Sequence, residues 1–420
     1  MSGHELVVRW GDAEVGRVTL DADGRFRFRY AESWLDNRAA SAISLSLPLR
    51  KDEYAEGPGH WFFANLLPEA GARQAVCARL GISETNDFAL LRAIGGECAG
   101  ALAIVDPART IRDDDNAYEL LEDHRLQQIV QRDGIVPLLV GGETTRLSLA
   151  GAQDKLPVAR LDARLQLPLR GAPSTHILKL PHLRYAHLPV NEAFIMGLAA
   201  KIGFDVAKVE LVATSPSCLL VERYDRRVSD DPWPAVRLHQ EDLCQAFGLP
   251  GSQKYEQEGG PTLAGIIELV RASVSDPIVD VRRLLEWQAF NVVVGNADGH
   301  GKNLALLYAS SRELRLAPFY DLLSTMQYDG IDRRLAMSVG GRRQAPELHR
   351  AQWETLAAEV QIRARVVIEI VADVADRCVA ALPSWTDDFG AAYGEQPILQ
   401  TLPTFIRSSA ARVARQVQAK

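Results

Sequence analysis

Residues 290–303 read FNVVVGNADGHGKN. Apolar side chains that could continue a helix give way at Gly295 to a run of Asn, Asp, Gly, His and Lys, with four residues between Asp298 and Asn303. Downstream, NLALLYASSRELRLAPFYD (303–321) sets two alternating apolar runs around the polar turn SSRE, and the second run ends at Asp321. The pattern predicts a helix that stops at Gly295 and Gly299 and presents Asp298 on a rigid loop. A hairpin should then return Asp321 beside Asn303, around a shared cation. Taken alone, NADGHGKN is equally readable as a polar turn that caps a helix, since Asn, Asp and Gly are common turn residues.

The order Asp, Asn, hairpin, Asp suits one chemistry. Phosphoryl transfer from ATP needs a carboxylate that orients the attacking hydroxyl and accepts its proton, and ligands that hold Mg2+ against the phosphates. It also needs a strand lysine and a loop whose backbone amides approach the phosphates closely. Lys179 in HILKLP (176–181) and the loop LSLAGAQDK (147–155) lie upstream in that order. Ala150, Gly151 and Ala152 are small enough for such an approach, although the segment is neither GxGxxG nor GxxxxGK[ST] and a plain β-turn reads as well. Glu222 to Tyr224, at the end of the apolar run CLLVERYDR, could offer backbone groups to an adenine. His300 is of a type more often packed than reactive, and Lys302 meets either a phosphate or solvent.

A chain of 420 residues with 47% hydrophobic content should form two or three domains. Its net charge of −7 gives no bulk attraction for polyanions, so any nucleic-acid contact is local or borrowed from a partner. The five cysteines (77, 98, 218, 244 and 378) form no CxxC pair and read as reduced thiols in a cytoplasm. No run approaches the roughly 20 apolar residues of a membrane span, and the N-terminus lacks an export pattern.

Along the chain, residues 5–30 alternate as a β-meander, followed by SLSLPL, the apolar WFFANLLPE, a helix near Asp87 to Ile94 and a strand in GGECAGALAIV. DPARTIRDDDN (106–116) reads as a linker. Tyr118 to Arg132 is helical in pattern, and HQEDLCQAFGL, PTLAGIIELVRASV, VRRLLEWQAFNVVVGNA and Ala351 to Leu382 read as helices after Pro234. The expected class is α+β, a two-lobed protein-kinase-like fold. It comprises an N-terminal β-rich module (1–105), a β-containing small lobe (118–233) and a mainly helical large lobe (234–420).

The strings RLSLAGAQDKLPV, STHILKLP, NEAF, LLVERYDRR, RLHQEDLCQAFGLP, KYEQEGGP, NADGHGKN and LAPFYDLLS, in this order, resemble the HipA-type serine/threonine kinases, toxins of bacterial type II toxin–antitoxin modules. SLSLPL and FANLLPE resemble that family's N-terminal domain. The resemblance implies a catalytic base at Asp298, Mg2+ ligands at Asn303 and Asp321, an ATP lysine at Lys179 and an adenine-contacting hinge at Glu222 and Tyr224. It implies inactivating autophosphorylation at Ser148, and further ATP contacts are expected at Ala150, Gly151, Ala152, Gln153, Asp154, Lys155, His300 and Lys302. It also implies an aminoacyl-tRNA synthetase target such as glutamyl-tRNA synthetase. The implied partner is a small helix-turn-helix antitoxin of the HipB type, through which operator DNA is reached. GGRRQ (340–344) and the tail RSSAARVARQVQAK could touch a DNA backbone or simply be solvated. Two rival readings are a small-molecule kinase of the aminoglycoside or choline type and a catalytically silent co-repressor scaffold.

Overall fold

The computed structural model describes residues 5–55, 57–107, 118–131, 155–169, 171–182, 184–228, 235–310 and 313–418. The chain forms two compact units, one made of Met1–Leu180, Ala213–Gly251 and Leu306–Arg312, the other of Pro181–Val212, Ser252–Ala305 and Glu313–Lys420.

In the first unit, the alternating residues near the N-terminus form strands Glu5–Trp10, Ala13–Leu20 and Phe26–Tyr30, joined by Leu102–Val105 in an antiparallel sheet. One face of the sheet buries Leu6, Val8, Val15, Val18, Phe28 and Tyr30 against Phe62, Phe63, Leu90 and Leu91. The helix Asp87–Ile94 falls where the sequence placed it, with Asn86 accepting the Ala89 N–H as its cap. Helices Pro58–Ala64 and Ala70–Leu80 add helical content beyond the expected β-rich character. An apolar run such as WFFANLL carries no period that separates strand from buried helix.

A second antiparallel sheet of this unit runs in the order Tyr118–Leu120, Arg164–Pro168, Lys155–Leu161, His176–Lys179, Cys218–Glu222. Tyr118 to Arg132 is therefore not one helix: its first three residues are a strand and the helix spans Asp123–Gln131. HQEDLCQAFGL is likewise corrected. His239–Asp242 is a strand, and only Leu243–Ala246 turns helical, started by a capping box of Asp242 and Gln245. The inward positions of that strand are His239 and Glu241, so its period-2 burial is carried by polar residues and does not show as hydrophobic alternation.

The second unit is mainly helical, with Leu188–Lys201, Leu263–Ser273, Pro277–Val294, Arg350–Glu359, Ala364–Tyr393 and Leu402–Gln418. Where the sequence suggested one stretch from Ala351 to Leu382, the chain breaks at Gln361, which takes a left-handed φ of 54°. The following helix continues past Pro383 to Tyr393. It packs closely on Leu188–Lys201: a Cβ on Gly197 would lie 2.1 Å from the Trp385 ring. The basic tail is a packed helix rather than a solvated end, with Ile406, Ala410, Val413 and Val417 buried and Arg412 donating to the Ala345 carbonyl at 2.8 Å. Among the described residues, no helix is long and apolar enough to cross a membrane. The expected α+β class holds.

Candidate active site

Helix Pro277–Val294 begins at Asp276, whose carboxylate accepts the Val279 N–H, and ends at Gly295, whose left-handed φ of 72° brings its N–H to the Asn291 carbonyl. Glycine is needed there twice over, because a Cβ would also lie 2.7 Å from Met326 and Phe405. At Gly299 a Cβ would lie 2.9 Å from the Asn291 amide and 3.0 Å from Trp287, so the loop lies tightly on the helix it has just left. Asn296 bonds back to Asn291 at 3.0 Å and accepts the Asp298 N–H at 3.1 Å. The His300 N–H reaches the Asp298 carbonyl (2.8 Å) and the Asn303 Oδ1 (3.1 Å), while the Lys302 N–H reaches His300 Nδ1 at 3.3 Å. NADGHGKN is thus a polar cap, and that capping fixes where the Asp298 and Asn303 side chains sit. His300, Lys302 and Asn303 are all buried, so the histidine and lysine are not surface groups.

The return segment is equally constrained. Strands Ala305–Ser310 and Glu313–Leu316 follow the loop, and the Ala317 N–H donates to the Ala305 carbonyl at 2.9 Å. The Tyr320 hydroxyl donates to the Lys302 carbonyl at 2.8 Å, and Asp321 takes a left-handed φ of 54°, a costly conformation for a residue with a Cβ. Its Oδ2 then lies 3.4 Å from the Asn303 Nδ2. Beyond it, Ser324 is gripped at both backbone groups by the buried Asn191 side chain, each bond 2.9 Å. Thr325 bonds the Gly295 carbonyl through its N–H and accepts the Ala297 N–H at 2.9 Å. The segment after Asp321 and the loop containing Asp298 are therefore tied into one piece of backbone.

A carboxylate and a primary amide held together suit a hard divalent cation. Mg2+ usually takes one or two protein oxygens and completes its shell with water and phosphate. The Asn303 carbonyl oxygen retains a second lone pair beside the His300 bond. Among the described residues there is no cluster of three or more His, Cys, Asp and Glu side chains that could form a protein-only cage. The residues present fit Mg2+ brought with phosphate. Asp298 also meets a partner that sequence reasoning missed: the Tyr255 hydroxyl donates to its Oδ1 at 2.6 Å.

The other predicted residues belong to the first unit. Lys179 ends strand His176–Lys179 in register between Lys155 and Leu219, and is 6% exposed. Glu222 lies opposite His176, and the Tyr224 hydroxyl bonds Gln240. Between them Arg223 enters a buried ion cluster. It bonds Glu97 at 3.1 Å and Asp225 at 2.7 Å, while Arg226 reaches Glu97 at 2.8 Å and Arg237 also reaches it. Burial would push the Glu97 carboxyl up, but Arg237, Arg226 and Arg223 together hold it at about 2. Ser148, Ala150, Gly151, Ala152, Gln153 and Asp154 lie outside the described residues.

A second buried carboxylate behaves oppositely. Glu241 accepts bonds from Ser44 Oγ (2.5 Å), the Leu45 N–H (3.0 Å) and the Tyr308 hydroxyl (2.6 Å), and among the described residues no cation stands beside it. Burial outweighs these bonds and pushes its pKa up to about 7. Ser44 stands in SLSLPL and Glu241 in RLHQEDL, so two strings that carry the resemblance meet here.

Residues 147–382 match the HipA-like C-terminal domain, and residues 6–105 match the HipA N-terminal domain. The chain belongs to the HipA family. Among similar proteins, the kinase-named Y4mE of Sinorhizobium fredii is 40% identical over 92% of this chain and 93% of that protein. The serine/threonine-protein kinase toxin HipA of Shewanella oneidensis is 31% identical over 80% of this chain and 78% of that protein. The structure of the Shewanella oneidensis HipA, HipB and operator DNA complex matches with a TM-score of 0.82 and 26% identity, covering 98% of this chain and 96% of that one. The resemblance read from the sequence strings is thereby confirmed.

Proposed function

We propose that this HipA family member is an ATP-dependent serine/threonine protein kinase that acts as the toxin of a toxin–antitoxin pair. The observation that carries the reading is the tied loop pair, in which Asp298 stands on a capped turn and Asn303 meets Asp321 at 3.4 Å. In this reading Asp298 orients the acceptor hydroxyl and takes its proton as the hydroxyl oxygen bonds phosphorus and the nucleoside diphosphate leaves. Asn303 and Asp321 would hold Mg2+, which neutralises charge on the phosphates. Lys179 meets the α/β-phosphates as a point charge. Glu222 and Tyr224 offer backbone groups to adenine, while Lys155, His300 and Lys302 supply further contacts to ATP, as do the loop residues Ala150 to Asp154. Most of the acceleration comes from positioning and electrostatics rather than covalent chemistry.

The assignment as toxin is supported by the relative that bears that name, and a HipB-like antitoxin is supported by the solved relative that assembles with HipB and operator DNA. All five cysteines are buried thiols, in keeping with work in the cytoplasm. We take the target to be an aminoacyl-tRNA synthetase, with glutamyl-tRNA synthetase first, and Ser148 to be the self-inactivating position. A phosphate there adds about −1.5 to −2 charges where ATP phosphates must sit.

Incubation with γ-labelled ATP and a panel of purified aminoacyl-tRNA synthetases tests this. Label should enter one synthetase and, by mass spectrometry of the same reaction, Ser148. Label that enters an aminoglycoside or choline and no protein would overturn the reading in favour of a small-molecule kinase.

A further inference from the structure

The string KYEQEGGP (254–261) marks the family yet has no part in the reading above. Its backbone is a tight turn. The Glu258 and Gly260 N–H groups both donate to the Tyr255 carbonyl, at 2.9 and 3.0 Å, and the Gly259 N–H donates to the Glu256 carbonyl at 3.1 Å. Gly260 is obligatory, because a Cβ would lie 2.3 Å from the Gln253 carbonyl oxygen. The turn is then fastened on two sides. The Gly301 N–H donates to the Lys254 carbonyl at 3.1 Å, which welds the turn to the loop that carries Asp298. On the other side Glu256 accepts from the Ser338 N–H (2.5 Å) and hydroxyl (2.7 Å), and Arg343 donates to Gln257 at 2.6 Å. The Tyr255 ring stands edge-on to His300, with centroids 5.0 Å apart.

These restraints fix the direction of one bond, from the Tyr255 hydroxyl to Asp298 Oδ1 at 2.6 Å. A phenol donating to a carboxylate is a strong, directional contact, and it selects a single rotamer of Asp298. The described residues bring no second donor to the Asp298 carboxylate, so Oδ2 is the oxygen left to an acceptor hydroxyl. We infer that Tyr255 is a positioning residue for phosphoryl transfer, locking the Asp298 carboxylate so that one oxygen is held by the phenol and the other receives the substrate hydroxyl. This rests on the reading of Asp298 as the base.

The test compares wild type, Tyr255→Phe and Asp298→Asn, using γ-labelled ATP and the synthetase that the wild type labels. Tyr255→Phe keeps the ring and its packing and removes only the hydroxyl. It should lower kcat about tenfold, with the KM for ATP, the affinity for a non-hydrolysable ATP analogue and the thermal midpoint all within error of wild type. If Asp298→Asn is inactive while Tyr255→Phe matches wild type, the inference alone is overturned. It is overturned equally if Tyr255→Phe loses nucleotide affinity and thermal stability in step with kcat, since that is a structural role. Full activity in Asp298→Asn removes the base assignment and the inference with it. Should Tyr255→Phe not accumulate, Ser338→Ala loosens the turn from its far side and should lower kcat in the same direction, again without change in ATP affinity.

Discussion

Each unit holds a knot of buried polar groups, and the two are built on opposite plans. Around Glu97 the partners are cations: Arg223 and Arg226 are almost wholly enclosed with it, Arg237 closes the ring, and Asp225 balances the arginines from the far side. Around Asp298 the partners are neutral: a phenol holds the carboxylate, an asparagine side chain receives its backbone N–H, and an amide spans from Asn303 to Asp321. A carboxylate surrounded by guanidinium groups has spent its charge, and it joins residues 126 positions apart in the chain. The Asp298 carboxylate, by contrast, is held through one oxygen by a phenol. The first plan makes a strut, and the second is the one our proposal gives to chemistry.

Removing one group at a time separates the two plans. Glu97→Ala leaves Asp225 as the remaining carboxylate beside the arginines among the described residues and should cost about 3–5 kcal/mol of folding free energy, the usual penalty for breaking a buried ion pair from one side. Denaturant unfolding reads this directly, and a loss below about 1 kcal/mol would show that the cluster is not a strut. Asp298→Asn, by the same measurement, should change stability little.

Glu241 gives a smaller, pH-dependent effect. Its pKa in the folded chain is raised from 4.5 to about 7 by burial, so the native state holds the proton longer than the unfolded chain does. Stability from this group is fully present below about 4.5, falls as pH rises toward 7 and is constant above it, with a total of roughly 3 kcal/mol at most. Glu241→Gln should therefore lose less stability than wild type between pH 5 and pH 8. Parallel pH profiles for the two proteins would show that the carboxyl does not titrate in that window.

How much of this could be read in the sequence depends on distance along the chain. Asp298, Asn303 and Asp321 fall within one short segment whose glycines, polar cluster and alternating runs announce a helix end and a returning hairpin. The structure indeed brings Asp321 back to Asn303. The ion cluster was hidden because Glu97, Arg223 and Arg237 come from separate stretches, and Ser44 and Glu241 are 197 positions apart. Tyr255 lies 43 residues before Asp298, visible only as part of a family string without a role. Elements were misread where burial and polarity disagree. His239–Asp242 is a strand with a histidine and a glutamate inside, and Tyr118–Leu120 is too short to show a period.

The role proposed for Asp298 as the group on which phosphoryl transfer turns is put to the test by the rate at which purified wild type and Asp298→Ala move labelled phosphate from ATP to the proposed synthetase acceptor, with thermal midpoints measured alongside. Asp298→Ala should be slower by at least about 100-fold with an unchanged midpoint. Equal rates in the two proteins would contradict it.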